Sequence, residues 1–164
     1  MRVYGVTGWK NAGKTGLMER LVSEISGRGV SVSTVKHAHH DTDVDQPGRD
    51  SHRHRAAGAR EVLLASPRRW ALMHELRGQD EPPLDDLLAR LSPVDLVLIE
   101  GYKRAPHRKV EAHRRATGRP PLATRNETIR AIAADAPLPG AALPVFDLDD
   151  TGAIADFILR EVGL

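Results

Sequence analysis

Gly8-Trp9-Lys10-Asn11-Ala12-Gly13-Lys14-Thr15 decides how this chain is read. The stretch meets the phosphate-loop pattern G-x-x-x-x-G-K-[ST] at every position, a pattern that carries weight when a strand precedes it and a helix follows. Both are present. Val3-Tyr4-Gly5-Val6-Thr7 is a short β-branched and aromatic run that reads as a buried strand. From Thr15 to Arg28, Met18, Leu21, Val22 and Ile25 recur at three- and four-residue spacing, as one face of a helix does, and Gly27 and Gly29 supply the stop.

The chemistry follows from that geometry. Glycines let successive backbone N–H groups converge on a phosphate with no Cβ in the way. A helix that begins near Gly13 points the positive end of its dipole at the same place. Lys14 would reach the β- and γ-phosphates as a point charge, and the Thr15 hydroxyl would ligate Mg²⁺.

Composition bounds the rest. At 164 residues, with 40% hydrophobic and 28% charged, the chain has the size and balance of a single globular domain, expected to span 1–164. Its 24 Lys and Arg nearly cancel 22 Asp and Glu, leaving +2, too mild a charge to argue for nucleic acid. No cysteine is present, which excludes disulfides, thiolate metal sites and a cysteine nucleophile. No apolar signal segment precedes the first strand and no run approaches transmembrane length, so the expectation is a cytoplasmic protein without a membrane role.

Outward from the loop, strands alternate with helices. Val30 to Val35 reads as a second strand, and Ser51 is placed to cap a short helix carrying His52 to Arg55. Glu61 to Ala65 and Trp70 to Met73 read as an antiparallel pair turned at Ser66-Pro67. Leu84, Leu87, Leu88 and Leu91 mark a helix stopped by Pro93, and Asp95 to Gly101 contains the continuous apolar run of a parallel strand buried on both faces. Lys109 to His113, Thr128 to Ala134 and Val145 to Leu148 follow as strands, and Asp150 to Val162 as a terminal helix. The predicted fold is α/β, a three-layer P-loop arrangement with a mainly parallel central sheet plus the antiparallel pair, and nucleotide at the carboxyl ends of the strands.

Glu100 ends the central apolar strand, where a P-loop site needs a second carboxylate to hold water or Mg²⁺ opposite the hydroxyl ligand. Asp41, Asp43 and Asp45 open like a calcium loop, but Gln46 stands where glycine is required and His52 where glutamate is, so calcium is rejected. His37, His39 and His40 suggest zinc or nickel, yet successive side chains alternate faces from a strand end, which favours a polar loop beside the phosphates. Asp50, with Ser51, is the better candidate to complete the Mg²⁺ and phosphate shell as a switch-like segment. Arg53, Arg55 and Arg60 read as a solvated helix side, with Glu61 and the Asp-rich loop nearby. His107 to Lys109 and His113 to Arg115 are either solvated loop or receivers of an anionic partner. For the base, Thr124-Arg125-Asn126-Glu127 only approaches the guanine motif N/T-K-x-D, while Asp135 is a plausible acceptor pair for guanine N1–H and N2–H₂; guanine stands slightly ahead of adenine.

Taken together, G-W-K-N-A-G-K-T at 8–15, K-H-A-H-H-D at 36–41, D-x-D-x-P-G-R-D-S at 43–51, R-W-A-L-M at 69–73 and L-V-L-I-E-G-Y-K at 96–103 resemble the molybdopterin-guanine dinucleotide biosynthesis adaptor family, MobB. The glycine loop is widely shared; the His-Asp loop joined to E-G-[FY]-K is specific. The resemblance covers essentially the whole chain. It implies a homodimeric GTP-binding adaptor, at most a slow GTPase, that assists the guanylyltransferase converting molybdopterin to its guanine dinucleotide, with molybdopterin itself as a possible ligand. It also implies that Gly8, Lys10, Asn11, Ala12, Gly13, Lys14, Thr15 and Gly16 cradle the phosphates, and that Thr15, Asp50 and Glu100 hold Mg²⁺. Ser51, Gly101 and Lys103 are expected to complete the nucleotide site, with Asp135 as the candidate for the base. No water-orienting glutamine follows Glu100, in keeping with slow hydrolysis. Two other readings stay open: a small P-loop kinase, for which 104–119 is the candidate arginine-rich lid, and a metallochaperone GTPase using the His-rich loop.

Overall fold

Tyr4 and Val6 are fully buried on one side of β1 (Arg2–Thr7), a strand with a parallel neighbour on each edge. The computed structural model describes residues 1–38 and 43–164. Along the chain β1 is followed by α1 (Lys14–Gly27), β2 (Val32–Lys36), α2 (Asp50–Ala56), β3 (Glu61–Ala65), β4 (Trp70–His74) and α3 (Leu84–Leu88). Then come β5 (Leu96–Glu100), β6 (Lys109–His113), β7 (Ile129–Ala134), β8 (Val145–Asp147) and α4 (Thr151–Val162). Two compact units result, 1–37 with 91–164, and 38–90.

The first unit is built on a six-stranded sheet in the order β2-β5-β1-β6-β7-β8, every pairing parallel. A strand covered on both faces must be apolar throughout, and Leu96-Val97-Leu98-Ile99 of β5 is fully buried. Leu17, Leu21 and Ile25 of α1 and Ile154, Ala155 and Ile158 of α4 close over Tyr4, Val6, Leu98, Val110, Ala112 and Ala133. Each large aliphatic group removed from water there contributes roughly 1.5–3 kcal/mol before chain entropy is counted. Asp150 caps α4, its carboxylate accepting the Ala153 N–H at 3.1 Å.

β6 departs from the all-apolar pattern. Val110 and Ala112 face the helices, while Lys109, Glu111 and His113 alternate with them and are also buried. Lys109 Nζ donates to the carbonyls of Ala105 and, at 2.7 Å, His107, and to Thr128 Oγ1 at 3.0 Å. Glu111 accepts the backbone N–H groups of Leu122 and Ala123 at 2.7 and 2.8 Å. The buried charges of Lys109 and Glu111 are tolerated because each head group has two or more hydrogen-bond partners; His113 Nδ1 has none among the described residues.

In the second unit β3 and β4 pair antiparallel, Val62 opposite Met73, around a turn in which Ser66 N–H donates to the Arg69 carbonyl. Three expectations need correction. Ser51 does not cap α2: the N-cap is Arg49, and the Ser51 hydroxyl donates instead to Asp45 Oδ1 at 2.9 Å. Arg55 is not a solvated cation. Its side chain is 14% exposed and pairs with Asp43, Asp45 and Glu75 at 2.7, 3.2 and 2.7 Å. The α3 helix is also shorter than the leucine spacing predicts, because Arg90 N–H turns back to Leu87 and closes its last turn. Among the described residues no helix is long and apolar enough to cross a membrane.

Candidate functional site

The end of β1 has to turn sharply over β6. At Gly8 φ is +145°, and a Cβ would fall 2.3 Å from the Ala112 carbonyl oxygen, so glycine alone fits. Asn11 and Gly13 take left-handed values of 64° and 90°, and Ala12 N–H closes a turn onto the Trp9 carbonyl at 3.2 Å. The α1 helix then starts at Lys14 with no acidic residue in its first turn and no side-chain cap. Its first N–H groups and the positive end of its dipole therefore have no anion of their own. Lys14 Nζ donates to the Trp9 carbonyl at 2.8 Å. Burial holds this ammonium below the usual lysine range, against the pull of Glu100 and with help from Lys103 and Lys36.

Glu100 ends β5, which is hydrogen-bonded between β1 and β2. Its carboxylate is buried and accepts from Thr15 Oγ1, 3.2 Å to Oε1 and 3.4 Å to Oε2, with Lys36 Nζ 3.7 Å away. Thr15, Lys36 and Glu100 line an open groove of about 440 Å³ with Met18, Glu19 and Val22. A hydroxyl and a carboxylate are the hard oxygen donors that Mg²⁺ takes, and their separation is close to the roughly 3 Å expected of two neighbouring ligands on an octahedral ion at about 2.1 Å. Those two residues fit the ion.

Trp9 is the other anchor of the loop. Its indole Nε1–H donates to the Pro120 carbonyl at 2.8 Å, and Lys103 Nζ and the Arg119 guanidinium lie 5.0 and 5.5 Å from the ring centroid. Pro120 belongs to the connection after β6, which holds short 3-10 turns at Arg115–Thr117 and Leu122–Arg125. Glu111 fixes the second turn through Leu122 and Ala123; burial raises its carboxyl pKa, opposed by those same N–H groups. The first turn begins just past Arg114, whose guanidinium lies over Gly13. Sequence reasoning placed Glu111 inside a strand and left Arg114 undecided. The signal for Glu111 was available as polar residues alternating through β6; Arg114 lies beyond that strand and outside the alternation.

The remaining expected site residues are distributed as follows. Lys10 and Asn11 are exposed on the loop, and Gly16 sits in the first turn of α1. Gly101 is buried at φ +98°, where a Cβ would meet His37 Cβ at 3.1 Å; its N–H donates to the Val6 carbonyl. His37 stacks on Tyr102 with centroids 4.4 Å apart. Asp135 follows β7, one carboxylate oxygen accepting the Arg115 N–H at 2.9 Å, and with Asp147 it lines a cavity of about 230 Å³ between the ends of β7 and β8. Thr124 to Glu127 lies before β7, at the opposite end of that strand, where Asn126 Nδ2 donates to the Lys103 carbonyl. Asp50 and Ser51 belong to the second unit, Asp50 at the start of α2 and 3.7 Å from Arg53. His39, His40 and Asp41 lie outside the described residues. Among the described residues no cluster of three or more His, Asp or Glu is arranged to hold a metal.

A glycine loop between the first strand and first helix, opening at the carboxyl edge of a parallel sheet beside a strand-terminal carboxylate, defines the P-loop nucleoside-triphosphate-binding class of fold. Within it, the family model for Molybdopterin guanine dinucleotide synthesis protein B, MobB, matches residues 3–135. The chain is 38% identical over 155 residues to the molybdopterin-guanine dinucleotide biosynthesis adapter protein of Escherichia coli K12, covering 93% of this chain and 88% of that one. It is 39% identical over 159 residues to the adapter protein of Haemophilus influenzae, covering 95% and 86%. A MobB homolog from Bacillus stearothermophilus superimposes with a TM-score of 0.75 at 33% identity, covering 99% of each chain. Bacillus subtilis MobB gives 0.77 at 27% identity, covering 99% and 98%. The chain belongs to the MobB family and takes the adapter role in molybdopterin guanine dinucleotide biosynthesis.

Proposed function

We propose that this protein performs its adapter role as a GTP- and Mg²⁺-binding homodimer that assists the guanylyltransferase attaching GMP to molybdopterin, and that it hydrolyses GTP slowly at most. The observation that carries the nucleotide reading is the Gly8–Thr15 loop itself, with its left-handed turns at Asn11 and Gly13 and an uncompensated helix N-terminus behind it. Lys14 and the loop N–H groups hold the phosphates, joined by Lys103 beside Trp9. Thr15 and Glu100 hold Mg²⁺. The cation supplies charge neutralisation of the polyphosphate. Asp135 reads the guanine edge through the carboxylate oxygen not engaged by Arg115, with Asp147 lining the same cavity. Gly101, Tyr102 and Lys103 follow Glu100 and offer no amide to orient a water, which supports slow hydrolysis.

Support for self-association comes from the antiparallel pair: Leu63, Leu64, Trp70 and Leu72 are 61%, 55%, 64% and 44% exposed. That much apolar surface on one hairpin favours a protein partner. Calorimetric titration with GTP and with ATP, each with Mg²⁺, on the native chain and Lys14→Ala tests the nucleotide reading. Selective GTP binding that the variant loses is expected; preference for ATP overturns the base assignment. Sedimentation of the same samples gives the oligomeric state, and a monomer at micromolar concentration overturns the homodimer.

A further inference from the structure

Arg114 is the basic residue of the His113-Arg114-Arg115 run that the phosphate-loop reading leaves without a role. β6 lies beside β1 with Thr7 opposite Glu111, so the chain emerging after His113 runs alongside the glycine loop. A Cβ built on Gly13 would sit 3.0 Å from Arg114 Nε and 3.4 Å from one Nη. The guanidinium thus occupies the space that a side chain at the α1 N-cap would need. Its backbone is held on both sides. Upstream is β6; downstream the Arg114 carbonyl accepts from Thr117 N–H at 3.0 Å and Thr117 Oγ1 at 2.8 Å, and Arg115 N–H bonds Asp135.

Arg114 lies over Gly13 at the positive end of the α1 dipole, the Lys14 ammonium of the same loop rests on the Trp9 carbonyl, and no acidic residue occupies the first turn. Glu100, the nearest carboxylate acting on Lys14, is engaged by Thr15 and Lys36. Among the described residues no carboxylate pairs with Arg114, although Arg20, Arg28, Arg55, Arg108 and Arg130 each have one. A guanidinium over a helix terminus, beside a loop that carries its own lysine, suits a multiply charged anion, and a planar guanidinium matches two phosphate oxygens at once.

We propose that Arg114 is a further nucleotide-binding residue, closing on the polyphosphate from the β6 side of the loop while Lys14 holds it from the α1 side. The assignment rests on the phosphate-loop reading and adds a second, independent cation to it. Its ligand class is the di- or triphosphate group, whatever base is attached.

Inorganic tripolyphosphate, GDP and GTP, each with Mg²⁺, and guanosine without it are titrated into the native chain, Arg114→Ala, Arg115→Ala and Lys14→Ala. Loss of one charge-assisted contact is expected to weaken all three phosphate ligands by about tenfold or more, with guanosine unaffected. Arg115→Ala should bind as the native chain does, since its contact to Asp135 is through the backbone. Ligand-free Arg114→Ala should melt no lower than the native chain, because the side chain is exposed and pairs with no carboxylate among the described residues; a purely structural role predicts the reverse. Native-like phosphate affinity in Arg114→Ala together with a loss in Lys14→Ala overturns the Arg114 assignment alone. If Lys14→Ala also binds like the native chain, the phosphate-loop reading falls and this assignment with it.

Discussion

The Thr15 hydroxyl donates to Glu100 at 3.2 Å, tying the first turn of α1 to the end of β5 across the sheet edge. The two oxygens stand at about the spacing that neighbouring ligands on an octahedral Mg²⁺ would take.

Glu100→Gln keeps the shape and a hydrogen-bond acceptor for Thr15 while removing the charge. The Mg²⁺-dependent part of GTP affinity is expected to fall about tenfold or more, the scale of one charge-assisted ligand, while affinity measured in EDTA holds or improves. Calorimetric titration with and without Mg²⁺ reads both. A full Mg²⁺ response in the variant would move the cation away from Glu100.

Gly8→Ala combines a left-handed backbone with a Cβ 2.3 Å from the Ala112 carbonyl. Relief requires β1 and β6 to separate, at a cost of about 2–4 kcal/mol. Urea unfolding measures it. A loss under about 1 kcal/mol would mean that the turn relaxes without strain.

Glu111→Gln offers one acceptor oxygen where two backbone N–H groups, of Leu122 and Ala123, now bond. One donor is left facing an amide NH₂, for an expected loss of about 1–3 kcal/mol. Trypsin cleavage after Arg115 and Arg125 should accelerate more than cleavage elsewhere. Because Trp9 hydrogen-bonds Pro120 in that same connection, its fluorescence in a Trp70→Phe background should shift as well. Unchanged emission would uncouple the connection from the phosphate loop.

His107 lies against Gly5, and its Nε2 is buried without a hydrogen-bond partner. Burial, aided by the Lys109 charge, drives its imidazole pKa from 6.5 down to about 4. The folded pKa is the lower one, so the unfolded chain binds the extra proton. This contribution to stability is complete above pH 6.5 and is lost as pH falls towards 4. His107→Phe should therefore lose less stability than the native chain between pH 7 and pH 5, as read by urea unfolding at the two pH values. Parallel losses in the two proteins would put the acid sensitivity elsewhere.

Much of this was legible in the residues because it is local. The glycine loop, the apolar β5 run and the β3–β4 pair are each decided within a few neighbouring positions, and the structure has them where the pattern predicts. What escaped depends on partners distant in sequence. Parallel pairing of β6 with β1 brings Arg114 to Gly13, a relation that no spacing reveals. Arg55 looked solvated because Asp43, Asp45 and Glu75 close on it only after the second unit has folded. Ser51 had the chemistry of a cap, but Asp45 takes its hydroxyl proton. Thr124 to Glu127 resembled a base-reading motif and proves to precede β7, at the far end of that strand from Asp135.

The connection between Glu100 and β6 is laced down along its length. Gly101 bonds Val6, Tyr102 stacks on His37, Asn126 grips the Lys103 carbonyl, and the Lys109 ammonium holds Ala105 and His107. A terminal phosphate arriving or departing at the loop finds little slack there to pull. A protein so fastened, if it holds the nucleotide proposed above, would signal it by presence rather than by changing posture: a docking peg either loaded or bare, with the timing left to whatever it docks.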